Sequence, residues 1–218
     1  MKKLLAGLLA ACMLMVPVSA LKGEVIDPED LPYIEQEDSA SSWAVEEIKA
    51  AVAEGLVPEL TGNPKYKDTI TREQFAELVV KMVEVALDTE LATAPTGTFT
   101  DSNNSQVLKA YHAGIVSGMG DQKFEPTVTT NREQIASMIY RAITYMEEVK
   151  GTTYAERNED LSAYTDANQV SAWALQSMGI LTNNNIMAGT SDTTLSPKAN
   201  CTVEQSIALL YRLYQKVR

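Results

Sequence analysis

The chain has 218 residues, 45% of them hydrophobic and 22% charged, with a formal net charge of −11. That length suffices for one domain with a substantial core or for a compact array of repeats, and the composition is that of a globular chain, not a disordered one. The acidic excess argues against a general nucleic-acid or anionic-membrane binder, since both need a basic surface, but it leaves room for an anionic ligand held by a few locally placed arginines.

Residues 1–20 read as a secretory signal peptide. Lys2 and Lys3 form a positive start, an apolar run extends from Leu4 to Val18, and Val18-Ser19-Ala20 is a small-x-small end of the kind signal peptidase accepts. A membrane anchor is the competing reading, but the run is short for a span and Pro17 and Ser19 break its end. Leu9-Ala10-Ala11-Cys12 also fits a lipoprotein box, yet the apolar Met13-Leu14-Met15-Val16 that follows is unlike the polar tether a lipidated Cys12 normally precedes. The expectation is an exported protein with no transmembrane segment in its mature part. Cys12 then leaves with the leader and Cys201 stands alone, so no intrachain disulfide is expected, a usage that suits a bacterial envelope. Residues 21–38 are acidic and lack periodicity, and read as a short N-terminal extension.

From residue 39 onward the chain repeats itself, in copies placed at 39–90, 99–150 and 161–218. The second helix of each copy reads TREQFAELVVKM from Thr71, NREQIASMIYRA from Asn131 and TVEQSIALLYRL from Thr202. Apolar residues recur at helical spacing, with Phe75, Leu78, Val79 and Met82 in the first copy and Ile135, Met138, Ile139 and Ala142 in the second; Ile207, Leu209, Leu210 and Leu213 serve the third. Thr71, Asn131 and Thr202 each stand three residues before a Gln, which predicts a capping box at each helix start. Glu73, Glu133 and Glu204 fall in the first turn, where a negative charge suits the helix dipole. An upstream helix opens each copy, from Ser41, Ser105 and Ser171, with Trp43 and Trp173 near the start of the first and third. The distance from the end of this helix to the second-helix word is regular, at 17 positions from Gly55 to Arg72 and 18 from both Gly114 to Arg132 and Asn185 to Val203. The intervening loops of the second and third copies correspond, with Gly118 and Gly189, Asp121 and Asp192, Phe124 and Leu195, and Pro126 and Pro197 in matching order. Gly and Asp permit tight turns, and Phe124 and Leu195 are expected to tuck each loop onto the helices. Polar stretches separate the copies at 88–98 and 151–160. One helix pair cannot enclose a core, so the three are expected to pack together with their second helices innermost.

These words resemble the S-layer homology module. The resemblance rests on Phe99-Thr100-Asp101 and Tyr164-Thr165-Asp166, Trp43-Ala44 and Trp173-Ala174, Gly114-Ile115 with Gly118, Gly120-Asp121, Phe124 with Pro126, and the second-helix words Thr71-Arg72-Glu73 and Asn131-Arg132-Glu133. It implies a mainly α protein whose three helix–loop–helix repeats form a pseudo-threefold helical bundle. It further implies non-covalent attachment to the bacterial cell wall through an anionic polysaccharide, often pyruvylated, bound between neighbouring repeats with the Arg of the second-helix word as main contact. Two departures stand out: Val203 replaces that Arg in the third copy, and the second copy lacks the Trp.

The candidate glycan-binding residues are therefore Arg72, Arg132, Trp43, Trp173, Gly120 and Asp121. A cation just inside a helix N-terminus opposes the dipole, and Val203 indicates that the fold closes without one, so an anion site explains Arg72 and Arg132 better than folding does. By residue type alone Trp43 and Trp173 are more often core than sugar platforms, and Asp121 and Asp192 shape turns. His112 has no clustered partner and Cys201 no base, and the sequence offers no metal-ligand cluster, nucleotide loop or triad, so neither catalysis nor a cofactor is expected. Other envelope proteins are the remaining candidate partners. The alternative function is a structural or interaction protein of the cell surface that kept the fold and lost or changed its glycan.

Overall fold

The computed structural model describes residues 39–218; the predicted leader and N-terminal extension lie outside them. The described residues hold six α-helices and no named strand: α1 (Val45–Ala53), α2 (Arg72–Leu87), α3 (Ser105–His112), α4 (Arg132–Lys150), α5 (Leu175–Asn183) and α6 (Val203–Val217). Single 3-10 turns at Ala167–Gln169 and Ala172–Ala174 precede α5. The expected mainly α class holds.

The three longest helices begin as their sequences dictate. Thr71, Asn131 and Thr202 each accept a hydrogen bond from the backbone N–H of the Gln three residues on, and that Gln side chain accepts one from the cap residue's own N–H. Every capping box predicted is formed. The apolar stripes of α2, α4 and α6 are buried along their lengths, and Tyr140, Tyr145, Tyr211 and Tyr214 pack half-buried against them.

The helices of one segment do not pair with each other. α3 of the second segment packs on α2 of the first, α5 of the third on α4 of the second, and α1 of the first on α6 of the third. Each pair runs parallel: Asn104 near the start of α3 bonds Glu77, two turns further along Lys109 bonds Glu84, and Ser171, Glu47 and Glu54 mark the same direction against α4 and α6. A parallel pair needs a connection that travels back the length of a helix. That is the work of the polar stretches between segments, and they are anchored accordingly. Leu91 and Ala94 are buried, Glu84 accepts from the Leu91 N–H, Glu147 accepts from Tyr154 N–H, and Asn184 exchanges bonds with the backbone of Glu156.

Three backbone hydrogen bonds close a ring at the centre. Ile70 N–H donates to the Cys201 carbonyl, Cys201 N–H to Thr130, and Thr130 N–H back to Ile70, each at 3.0 Å. Each of these residues immediately precedes a helix cap and each is fully buried. The bonding is thus cyclic, although the inner helices are not packed evenly, since α2 contacts both α4 and α6.

Candidate functional site

The boundaries between segments are where candidate residues meet. At each one, the first turn of a second helix sits on the loop of the next segment. Arg72 and Glu73 N–H groups donate to Val128 and Pro126, Arg132 and Glu133 to Ala199 and Pro197, and Val203 and Glu204 to Asp68 and Tyr66. Orphan donors of all three helix N-termini are thereby satisfied by a neighbouring segment.

Two arginines extend this seating. Arg72 Nε donates to the Phe124 carbonyl at 2.8 Å and Nη2 to Ser117 at 3.0 Å, with the guanidinium 4.7 Å from the Phe124 ring centroid. Arg132 repeats the pattern on Leu195 at 2.7 Å and Ala188 at 2.6 Å. Both arginines are buried, and burial lowers the pKa of each from its ordinary value. A planar fork suits two carbonyls at once in a way an ammonium does not. No folding role for these arginines is evident from the sequence, and the structure supplies one: each clasps both ends of the following loop. Among the described residues, the hydrogen bonds of each guanidinium run from Nε and Nη2, and none runs from Nη1. Val203 sits fully buried at the corresponding place in α6.

The clasped loops are themselves held from the far side. Asp101 accepts from the N–H groups of Phe124 and Glu125, and Asp166 from those of Leu195 and Ser196, at 2.8 to 2.9 Å. Desolvation pushes these carboxyls up, but the backbone bonds together prevail and both end below the ordinary carboxylate value. Phe124 and Leu195 tuck fully inside, as expected. Between Ser117 and Phe124 the chain reverses through Gly120, Asp121 and Gln122, all at positive φ, with Gly120 at 106°. Gly120 and Asp121 therefore form the exposed tip of the loop that Arg72 clasps.

Trp43 and Trp173 are not core residues; they are 50% and 57% exposed. Each follows by two a serine that binds the buried Glu of another segment. Ser41 N–H and Oγ donate to Glu204 at 2.8 Å, and Ser171 N–H and Oγ donate to Glu133 at 3.0 Å. Lys198 Nζ also donates to Glu133 and Ser171. In the second segment Ser102 makes the weaker equivalent bond to Glu73, at 3.4 Å, and the residue two further on is Asn104, which caps α3. The predicted site residues thus fall at three boundaries: Arg72 with Gly120 and Asp121, Arg132 with Trp173, and Trp43 beside Val203. Arg72 and Trp43, neighbours in the first copy by sequence, belong to different boundaries.

The S-layer homology domain model matches residues 98–136 and 163–204. These two segments are similar to the S-layer homology domain. The matched segments begin just before the two aromatic-Thr-Asp words and end inside α4 and α6, so each unites a bracing Asp, its loop and the following helix start. Among curated relatives, the S-layer protein of Bacillus licheniformis is 28% identical over 99% of this chain and 23% of its own length. An endoglucanase of Bacillus sp. (strain KSM-635) is 26% identical over 94% of this chain and 21% of its own. Exoglucanase XynX of Acetivibrio thermocellus is 25% identical over 82% of this chain and 16% of its own. The chain spans less than a quarter of the length of these relatives.

Asp101 and Asp166 stand in the two aromatic-Thr-Asp words, and Glu133 and Glu204 in helix first turns, where the sequence shows a favourable dipole position but no bracing partner. The signal for their bracing role was present in the recurrence of an aromatic-Thr-Asp word ahead of the second and third loops and of a Ser two residues before each Trp. Cys201 belongs to the central ring; burial pushes its thiol up to about 11, against the opposing charge of Arg132. No group of three or more potential metal ligands lies among the described residues, and no helix there is long and apolar enough to cross a membrane.

Proposed function

We propose that this chain is a non-catalytic module of the bacterial cell surface that holds an anionic wall polysaccharide non-covalently at the boundaries between its segments. The carrying observation is that the matched S-layer homology segments each deliver an arginine or a tryptophan to such a boundary. Arg132 and exposed Trp173 fall at one boundary, joined through the Glu133–Ser171 contact, a pairing suited to a carboxylate on a sugar whose ring face lies on the indole. Arg72 with the Gly120-Asp121 tip, and Trp43, offer parts of the same chemistry. S-layer proteins among the relatives favour a place on the wall, and the glucanases align over too small a share of their length to lend their activities.

Sedimentation with purified walls tests this, using walls bearing their polysaccharide and the same walls stripped of it. Retention on the first and release from the second is expected; absence of retention on both refutes the proposal. Replacing Arg72 and Arg132 together by Ala should lower retention, with circular dichroism recorded alongside because both arginines also hold loops. A surface protein that kept the fold and changed its ligand is the second reading, and one observation favours it: most of each guanidinium is already committed to carbonyls. Wall-independent self-association would support it.

A further inference from the structure

Resting on the glycan-binding reading above, we infer that the molecule has one complete site, not three or two, and that it lies at the boundary between the second and third segments. The reason is the exchange of helices between segments. Because each second helix is completed by the segment that follows it, an arginine and a tryptophan within one copy cannot serve one ligand. The pairs that count are Arg72 with the second segment, Arg132 with the third, and α6 with the first.

The boundaries can be compared position by position on their shared frame of Glu and Ser. Two residues after the Ser stand Asn104, Trp173 and Trp43 in turn. Just inside the helix cap stand Arg72, Arg132 and Val203, and the loop of the following segment brings Thr127, Lys198 and Lys67 to these boundaries in turn, each five residues before that segment's own Arg132, Val203 or Arg72. The first boundary has its cation, but Asn104 replaces the indole and its side chain is consumed by the Gln106 N–H and Glu77. The third has the indole and Lys67, but Val203 has no donor and is buried. Among the described residues, only the second unites arginine, exposed indole and lysine at these positions.

Its electrostatics differ as well. Lys198 Nζ bonds Glu133, the residue next to Arg132, while the Lys198 side chain stays 52% exposed. Glu133 is thus paired with Lys198 while Asp166 is the carboxylate that acts on Arg132, so the second boundary places two cations, one of them half-exposed, on a chain of net charge −11. A sugar carrying a single anionic group is the class this boundary accommodates: the charge between Arg132 and Lys198, the ring on Trp173. Lys198 is then a specificity residue, since its ammonium is held in place by Glu133 and Ser171 before any ligand arrives.

Glycan-bearing walls serve as the probe, titrated against the full chain and four single variants. Both indoles are exposed, so Trp173→Ala and Trp43→Ala should leave the helical spectrum unchanged. Trp173→Ala is expected to raise the half-saturating wall concentration by about tenfold or more, and Trp43→Ala by less than about twofold. Lys198→Ala should weaken binding several-fold and Lys67→Ala leave it unaltered. Wild-type retention with equal losses for both Trp variants, or with no loss for Trp173→Ala, overturns the single-site inference and leaves the glycan-binding reading standing. Failure of the wild type to bind glycan-bearing walls removes both.

Discussion

Arg72 and Arg132 each hold two carbonyls of a neighbouring loop from a position just inside a helix N-terminus. The sequence places a cation where the helix dipole disfavours one, which points to a ligand. It does not show that the next segment's loop presents two carbonyls to each guanidinium, because that contact spans 45 to 63 residues of chain. The exposure of Trp43 and Trp173 was illegible for the same reason: an indole by type belongs inside, and only the serine–glutamate contact two residues away fixes it at the rim. Asp101 and Asp166 carry a prediction at this scale. Each has a folded pKa below its ordinary 3.8, so its contribution is full above that value and is lost as pH falls through the lower folded value. The melting temperature of the wild type should fall on acidification below about pH 4 more steeply than that of Asp101→Ala combined with Asp166→Ala. At neutral pH, Asp166→Ala alone should cost about 1–3 kcal/mol in urea unfolding, since it strands the buried Leu195 N–H.

Helices were the most legible features. Caps and apolar stripes depend on residues three or four apart, and each capping box predicted from Thr71, Asn131 and Thr202 is present. The connections were less so, because polar composition looks the same in a loose spacer and in an anchored return path. Gly179 in α5 shows how close that path runs. A Cβ there would lie 2.5 Å from the Glu159 carbonyl oxygen, in backbone that cannot simply rotate away. In an exposed helix, Gly→Ala normally stabilises by about 1 kcal/mol. Here Gly179→Ala should destabilise by about 1–3 kcal/mol, the range for overpacking, as read by denaturant midpoint. An unchanged or raised midpoint would mean the 151–160 stretch does not press on α5.

The repeat pattern made a helical assembly predictable, while the partner of each helix lay beyond it. A three-copy pattern is equally consistent with self-contained pairs and with exchange, and only the observed packing of α1 on α6, α3 on α2 and α5 on α4 distinguishes them. Exchange makes the segments interdependent. Trp43 and Trp173 lie in different segments, so single-Trp variants monitored by fluorescence should unfold in urea at one midpoint, coincident with loss of helical dichroism. Separate midpoints would show segments folding alone. The ring of Ile70, Thr130 and Cys201 carries this further. In hydrogen-bonding terms it has no first member, and α6 hands on to α1 as α2 does to α3. The order in which the chain visits the segments is then a matter of covalent convenience. A circularly permuted protein, joined from Arg218 to Ser39 by a connection long enough to run back along α6 and opened within 151–158, would contain the same three boundaries in the same neighbourhood relations.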